Sequence, residues 1–239
     1  MAGIRERARK ETTAEILRLA RQQLAAEGAG ALSLRAIARE MGMVSSAIYR
    51  YFAGRDELLT QLIVESYDSL GDAVRAGDDS VADRADLPAR WRAMAHALRG
   101  WAFDNPEQWA LLFGTPVPGY AAPVDTIGPA SRYTAVFLEL LAEADRAGVR
   151  GTGPVPAELA ADLARLQEHF GLEIDGPLLA NGMVAWANLM GAVSLELFGH
   201  LHNVVDTPSA LFDAVVEQRI DVVADRSGTT PARRTSKRA

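Results

Sequence analysis

Apolar side chains return every third or fourth residue along most of this chain, and no segment shows the strict alternation of a half-buried strand, so the pattern predicts an all-α protein. Ile16, Leu19, Ala20 and Leu24 form the first stripe, and AEGAG after it supplies a glycine stop. Ser33 is placed to cap a short helix carrying Leu34, Ile37, Ala38 and Met41, which Gly42 ends. Ser45 is expected to cap a third short helix whose Ile48 and Phe52 turn inward. Asp56 and Glu57 then mark the acidic first turn of a fourth, through LLTQLIVESYDSL.

Beyond residue 75 the polar stretch RAGDDSVADRAD reads as a connection, and helical spacing resumes near Leu87. The prolines and glycines of GTPVPGYAAPVDTIGPA forbid one continuous helix there. Further helices are expected over 131–147, 156–170, 175–202 and 208–224, and no internal repeat appears. The pattern therefore divides into a head over 1–56 with an N-terminal arm, a connecting helix over 57–74, a helical body over 75–225 and a tail over 226–239. The tail, with nothing apolar to bury, is expected to be disordered.

Charge sharpens this division. The 239 residues sum to −6, yet residues 1–55 hold ten Lys or Arg against five Glu, a net of +5, and the last fourteen add five more basic residues. That leaves −16 for the middle, so a basic head sits on an acidic body and the overall balance does not exclude nucleic acid. The chain has no cysteine, which removes disulfides and thiolate metal sites. No apolar run reaches the roughly 18 residues of a membrane span, and the charged N-terminus lacks a secretory core, so a cytoplasmic protein without membrane partners is expected.

Two short helices meeting at a tight turn on Gly42 make a helix-turn-helix, with Ala38 small enough to let them approach. With Ile48 and Phe52 inward, the stretch SSAIYRYF at 45–52 turns Ser45, Ser46, Tyr49 and Arg50 outward at the start of the second helix. Hydroxyls, a phenol and a guanidinium are groups that meet phosphates and base edges. A bland helical subdomain with polar surface fits the periodicity equally well. The wording LSLRAIAREMGMVSSAIYRYFAGRDELL decides between them, because it resembles the DNA-binding domain of the tetracycline-repressor (TetR) family. The resemblance implies that Ser33 and Arg35 lie near backbone phosphates. It also places Ser45, Ser46, Ala47, Tyr49, Arg50 and Tyr51 on the recognition helix, and Arg55 at the start of the next. Arg5, Arg7, Arg9 and Lys10 read either as an arm on the adjacent groove or as a solvated terminus.

The body resembles one subgroup of that family, marked by a Trp-x3-His-Gly signature: WANLMG at 186–191 keeps the tryptophan and glycine but has Met190 where histidine is usual. FDNPEQWALLFGTPVPGYAAPVDT also looks like that subgroup. The resemblance implies a ligand pocket touched by Phe113, Trp186 and Met190, more apolar here for want of the histidine, and Met183, among the body's large apolar residues, is a further candidate lining residue. Glu196, His200 and His202 lack the further ligands of a metal site, no catalytic motif appears, and no cofactor is expected. The expected protein is a homodimeric, effector-responsive transcriptional regulator of a near-palindromic operator, most simply a repressor. The alternatives are a helical small-molecule-binding or enzymatic protein with a vestigial head, and a DNA binder without an effector.

Overall fold

The computed structural model describes residues 2–123 and 126–224. Those residues form ten α-helices and no strands: α1 (Ala2–Glu27), α2 (Leu34–Glu40), α3 (Ser45–Ile48), α4 (Arg55–Asp79), α5 (Leu87–Asp104), α6 (Pro106–Phe113), α7 (Ile127–Arg146), α8 (Ala157–Phe170), α9 (Gly176–Leu197) and α10 (Pro208–Gln218). The all-α expectation holds. The basic tail at 226–239 lies outside the described residues. Packing divides the chain into one unit of Met1–Ala76 with His96–Val136, and a second of Gly77–Ala95 with Phe137 onward.

In the first unit, the sequence stripes become one core. Ile16, Leu19, Ala20 and Leu24 of α1 pack with Leu34, Ile37 and Ala38 of α2, Ile48, Phe52, and Leu58, Leu59 and Leu62 of α4. Ile37 and Ile48 are fully buried, and truncating such a side chain to alanine costs about 2–5 kcal/mol. Leu111, Leu112, Val117 and Tyr120 pack against this same core, so α6 and the proline-rich segment after it help to hold the short helices. Beside them Tyr67 and Tyr133 lie parallel with ring centres 6.1 Å apart, and Phe113 stands edge-on to both.

The second unit is organised around α9. Gly182 of that helix abuts Leu141 of α7 so closely that an added Cβ would fall 2.3 Å from its Cδ1, so any larger residue would make the buried Leu141 side chain move. The Trp91 indole donates to the Val216 carbonyl at 2.9 Å, tying α5 to α10. Arg90, itself 2% exposed, bonds Asp78 (Nε to Oδ1, 2.7 Å) and Glu143 (Nη2 to Oε1, 3.1 Å). Buried charges persist when paired and hydrogen-bonded in this way.

Three local expectations are corrected. Val44, not Ser45, occupies the cap position of α3, in extended backbone, and Ser45 is the first helical residue. The helix expected to 202 stops at Leu197, because Gly199 turns the chain into the left-handed region at φ 76°. Averaged along its length, α9 is also apolar and long enough to cross a membrane. Asn181, Asn188 and the glycines interrupt its apolar run, which hid this in the sequence. Seven of its residues are buried within the unit, the setting of a core helix.

Candidate nucleic-acid interface

The chain reaches the recognition helix through a turn set by one glycine. The Ser33 hydroxyl caps α2 by accepting the Ala36 N–H at 3.3 Å. At the other end Gly42 adopts φ 66°, its N–H returns to the Arg39 carbonyl at 3.1 Å, and the Met43 N–H reaches the Ala38 carbonyl at 2.8 Å. Left-handed backbone is nearly free of strain only for glycine. The fully buried Ala38 then lets α3 cross α2 closely, and Ile48 and Phe52 anchor α3 from below.

This anchoring decides what faces outward. Ser45, Ser46, Tyr49 and Arg50 are exposed, and Arg35 is exposed on α2. Because Val44 takes the cap position and no side chain caps α3, the Ser45 hydroxyl is left for other partners. Ala47 is half-buried. Tyr51 is half-buried too, beneath the Arg9 guanidinium, whose carbon lies 5.6 Å from the ring centre. Arg55 turns into the protein: its Nη2 donates to the Ala29 carbonyl at 2.9 Å, and its Nε is enclosed without a partner among the described residues. Thus Arg35, Ser45, Ser46, Tyr49 and Arg50 share the outer surface, while Ser33, Tyr51 and Arg55 brace it.

Two exposed side chains on this surface escaped the sequence reading. Val44 is 72% exposed immediately before α3, an apolar side chain presented to solvent beside Ser45. Arg39 is exposed in the last turn of α2. The signal for Val44 is its place between Gly42 and Ser45, at the residue that leads the chain into α3.

The expected effector contacts fall in two settings. Phe113 belongs to the first unit, with its ring 4.6 Å from that of the buried Trp109 and edge-on to Tyr67 and Tyr133. Burial raises the Tyr67 phenol above its ordinary range. Met183, Trp186 and Met190 lie on α9 in the second unit, Met190 buried and the other two half-buried. The Trp186 indole N–H is enclosed and meets no acceptor among the described residues. Beside it in sequence, the Asn188 carboxamide oxygen accepts from Arg219 Nε at 2.7 Å and Nη2 at 2.9 Å. Among the described residues no three His, Asp or Glu side chains converge on a metal position.

Residues 16–62 match the tetR family of bacterial regulatory proteins, and residues 91–218 match the tetracyclin repressor-like C-terminal domain. The chain is similar to the HTH-type transcriptional regulator Rv1816 of Mycobacterium tuberculosis (strain H37Rv) and to its counterpart Mb1846 of Mycobacterium bovis. Each is 44% identical over 232 residues, covering 93% of this chain and 97% of the relative. The crystal structure of SCO4313, assigned as a candidate regulatory protein, superposes with a TM-score of 0.75 at 38% identity, over 90% of this chain and 97% of that one.

Proposed function

Because the chain belongs to the tetracycline-repressor family of bacterial regulators, we propose that it represses transcription as a homodimer on a near-palindromic operator and is released by a small effector. Relatives named as HTH-type transcriptional regulators support this reading over an enzymatic one. The observation that carries it is the surface of Arg35 on α2, Ser45 and Ser46 on α3 and Tyr49 and Arg50 in the turn after it, all held outward by anchors locked into the core beneath. Such a helix end docks in the major groove, where guanidinium, phenol and hydroxyl groups find phosphates and base edges. A bacterial operator lies in the cytoplasm, where we place the protein.

Dimerisation is supported by an uncovered stripe on α9. Val184, Ala187, Gly191, Leu195 and Phe198 recur at spacings of three and four and are all exposed, Val184 at 48% and Leu195 at 45%. Leu211 and Ala214 continue the exposed small and apolar surface on α10, which packs on α9. Two copies of this helix pair would bury the stripe as a four-helix bundle. Gly191 has open space where a Cβ would stand, so the monomer's own packing does not require glycine there, which leaves it suited to the close approach of a partner helix.

For the effector, the α9 residues Met183, Trp186 and Met190 supply apolar contact, and the unpartnered Trp186 N–H supplies one donor. Buried indole N–H groups nearly always find an acceptor, so the fitting ligand is an apolar or amphipathic molecule carrying at least one acceptor oxygen. Phe113 is proposed as a separate candidate contact within the first unit, half-buried beside Tyr67 and Tyr133. A ligand that binds the released form better by about 1–3 kcal/mol lowers operator affinity roughly 5- to 150-fold. Selection of bound fragments from genomic DNA, followed by release with candidate ligands, tests the whole reading. Recovery of no preferred site would leave a vestigial head.

A further inference from the structure

Arg9 stands in the segment that the sequence left between a groove-binding arm and a solvated terminus. In the structure α1 runs unbroken from Ala2 to Glu27, so Arg9 is carried on a helix. Its Nη2 donates to the Arg50 carbonyl at 3.3 Å, and its guanidinium carbon sits 5.6 Å from the centre of the Tyr51 ring. Both partners follow α3, a helix of only four residues. A helix this short has no stability of its own, and its last carbonyls have no partners within it. The Ala47 and Ile48 carbonyls accept the N–H groups of Arg50, Tyr51 and Phe52 in the turn that follows, and Arg9 continues this closure at the Arg50 carbonyl; a cation there also faces the negative pole of the helix. Ile48 and Phe52 hold the recognition element from inside; Arg9 holds it from outside, across 41 residues of sequence.

We propose that Arg9 is a positioning residue for operator reading: it clamps the end of the recognition helix through Tyr51 and the Arg50 carbonyl, fixing the angle at which Tyr49 and Arg50 are displayed, and it does not itself neutralise a phosphate. The inference rests on the operator-binding reading above. Its two contacts fall on adjacent residues, the Arg50 carbonyl and the Tyr51 ring, so one guanidinium holds both. Arg50 thereby has its main chain held by one arginine while its side chain remains exposed.

The test uses the full-length dimer, the genomic fragment it selects and an unrelated fragment of equal length, with affinities measured across a salt series. Arg9→Ala is expected to weaken operator binding about tenfold while binding to unrelated DNA and the salt slope stay as in the wild type. Tyr51→Leu is expected to reproduce the defect, and the Arg9→Ala/Tyr51→Leu double variant to be no weaker than the weaker single variant. Tyr51→Phe, which keeps the ring, is expected to bind as the wild type does. Amide exchange at Tyr51 and Phe52 should quicken in Arg9→Ala, with total helix content unchanged. A salt slope reduced by about 0.9, with operator and unrelated DNA weakened by the same factor, would show that Arg9 contacts phosphate and overturn the proposal. Defects that multiply in the double variant would overturn it as well. A wild-type protein without any preferred site would instead sink the operator-binding reading, while the exchange measurement still judges the clamp.

Discussion

The Tyr120 phenol lies 2.9 Å from the Thr60 hydroxyl, and because Thr60 Oγ1 already donates to the Asp56 carbonyl at 2.8 Å, Tyr120 is the donor. This bond ties the proline-rich segment after α6 to the beginning of α4, where Val117 and Tyr120 pack on the core beneath the recognition helix. The segment that breaks helical periodicity is therefore part of what holds the DNA-reading surface. Tyr120→Phe removes one hydroxyl and keeps the ring. It should lower stability by about 1 kcal/mol, read as a small drop in Tm, and should reduce the factor by which effector releases operator DNA. An unchanged release factor would mean that the signal does not pass through this contact.

Tyr49→Ala and Arg50→Ala should each weaken operator binding by about 1–3 kcal/mol while helix content and dimerisation stay intact, because both side chains are exposed and contribute nothing to the core. Arg55→Ala should behave differently. Its loss frees the Ala29 carbonyl and should lower Tm, with any loss of DNA binding following that instability.

How much of this surface was legible in the sequence depends on the range of the interactions that make it. The cap at Ser33, the turn at Gly42, the close approach at Ala38 and the anchors Ile48 and Phe52 are local or periodic, and each was readable. The partnership of Arg9 with Tyr51 and that of Arg55 with Ala29 join residues far apart in sequence, so no spacing rule finds them. The resemblance places Tyr51 on the recognition helix and Arg55 at the start of the next; both are half-buried, and the intramolecular partners they take are what spacing does not reveal. The part of the core supplied by Leu111, Leu112, Val117 and Tyr120 was equally hidden, since their spacing marks them as apolar without saying against what they pack.

The Arg90 cluster in the second unit gives a pH signature. Hydrogen bonding from Arg90 holds the Glu143 carboxyl below its ordinary range, and the guanidinium is in turn pushed further up, first by Glu143. At Asp78 burial pushes upward, but hydrogen bonds from Arg90 and Arg84 outweigh it and the carboxyl is also held low. Folded values below the unfolded ones, which lie near 4, mean that the stabilisation is whole above about pH 5 and is lost as pH falls through the folded values. Tm should therefore be level near neutrality and fall in acid. Arg90→Met, which leaves Glu143 without its guanidinium and Asp78 with Arg84 alone, should cost about 1–3 kcal/mol at neutral pH and flatten the acid limb. A variant as stable as the wild type would show the cluster to be dispensable.

Gly191→Leu adds a side chain where the isolated chain has open space, so the monomer fold should be kept or slightly stabilised. If α9 forms the bundle, the same change should push two copies apart and give a monomer by sedimentation velocity at micromolar concentration. A dimer of undiminished affinity would place the interface elsewhere.

The reading as a whole turns on whether the surface built around Tyr49 and Arg50 binds one DNA sequence in preference to others. The direct measurement is the affinity of the full-length protein for a fragment selected from genomic DNA, against an unrelated fragment, as a function of salt. The expected result is a preference of at least about 10³-fold, a steep loss of affinity with rising salt, and loss of the preference in Tyr49→Ala. Equal affinity for both fragments, or a preference that survives Tyr49→Ala and Arg50→Ala together, would contradict it.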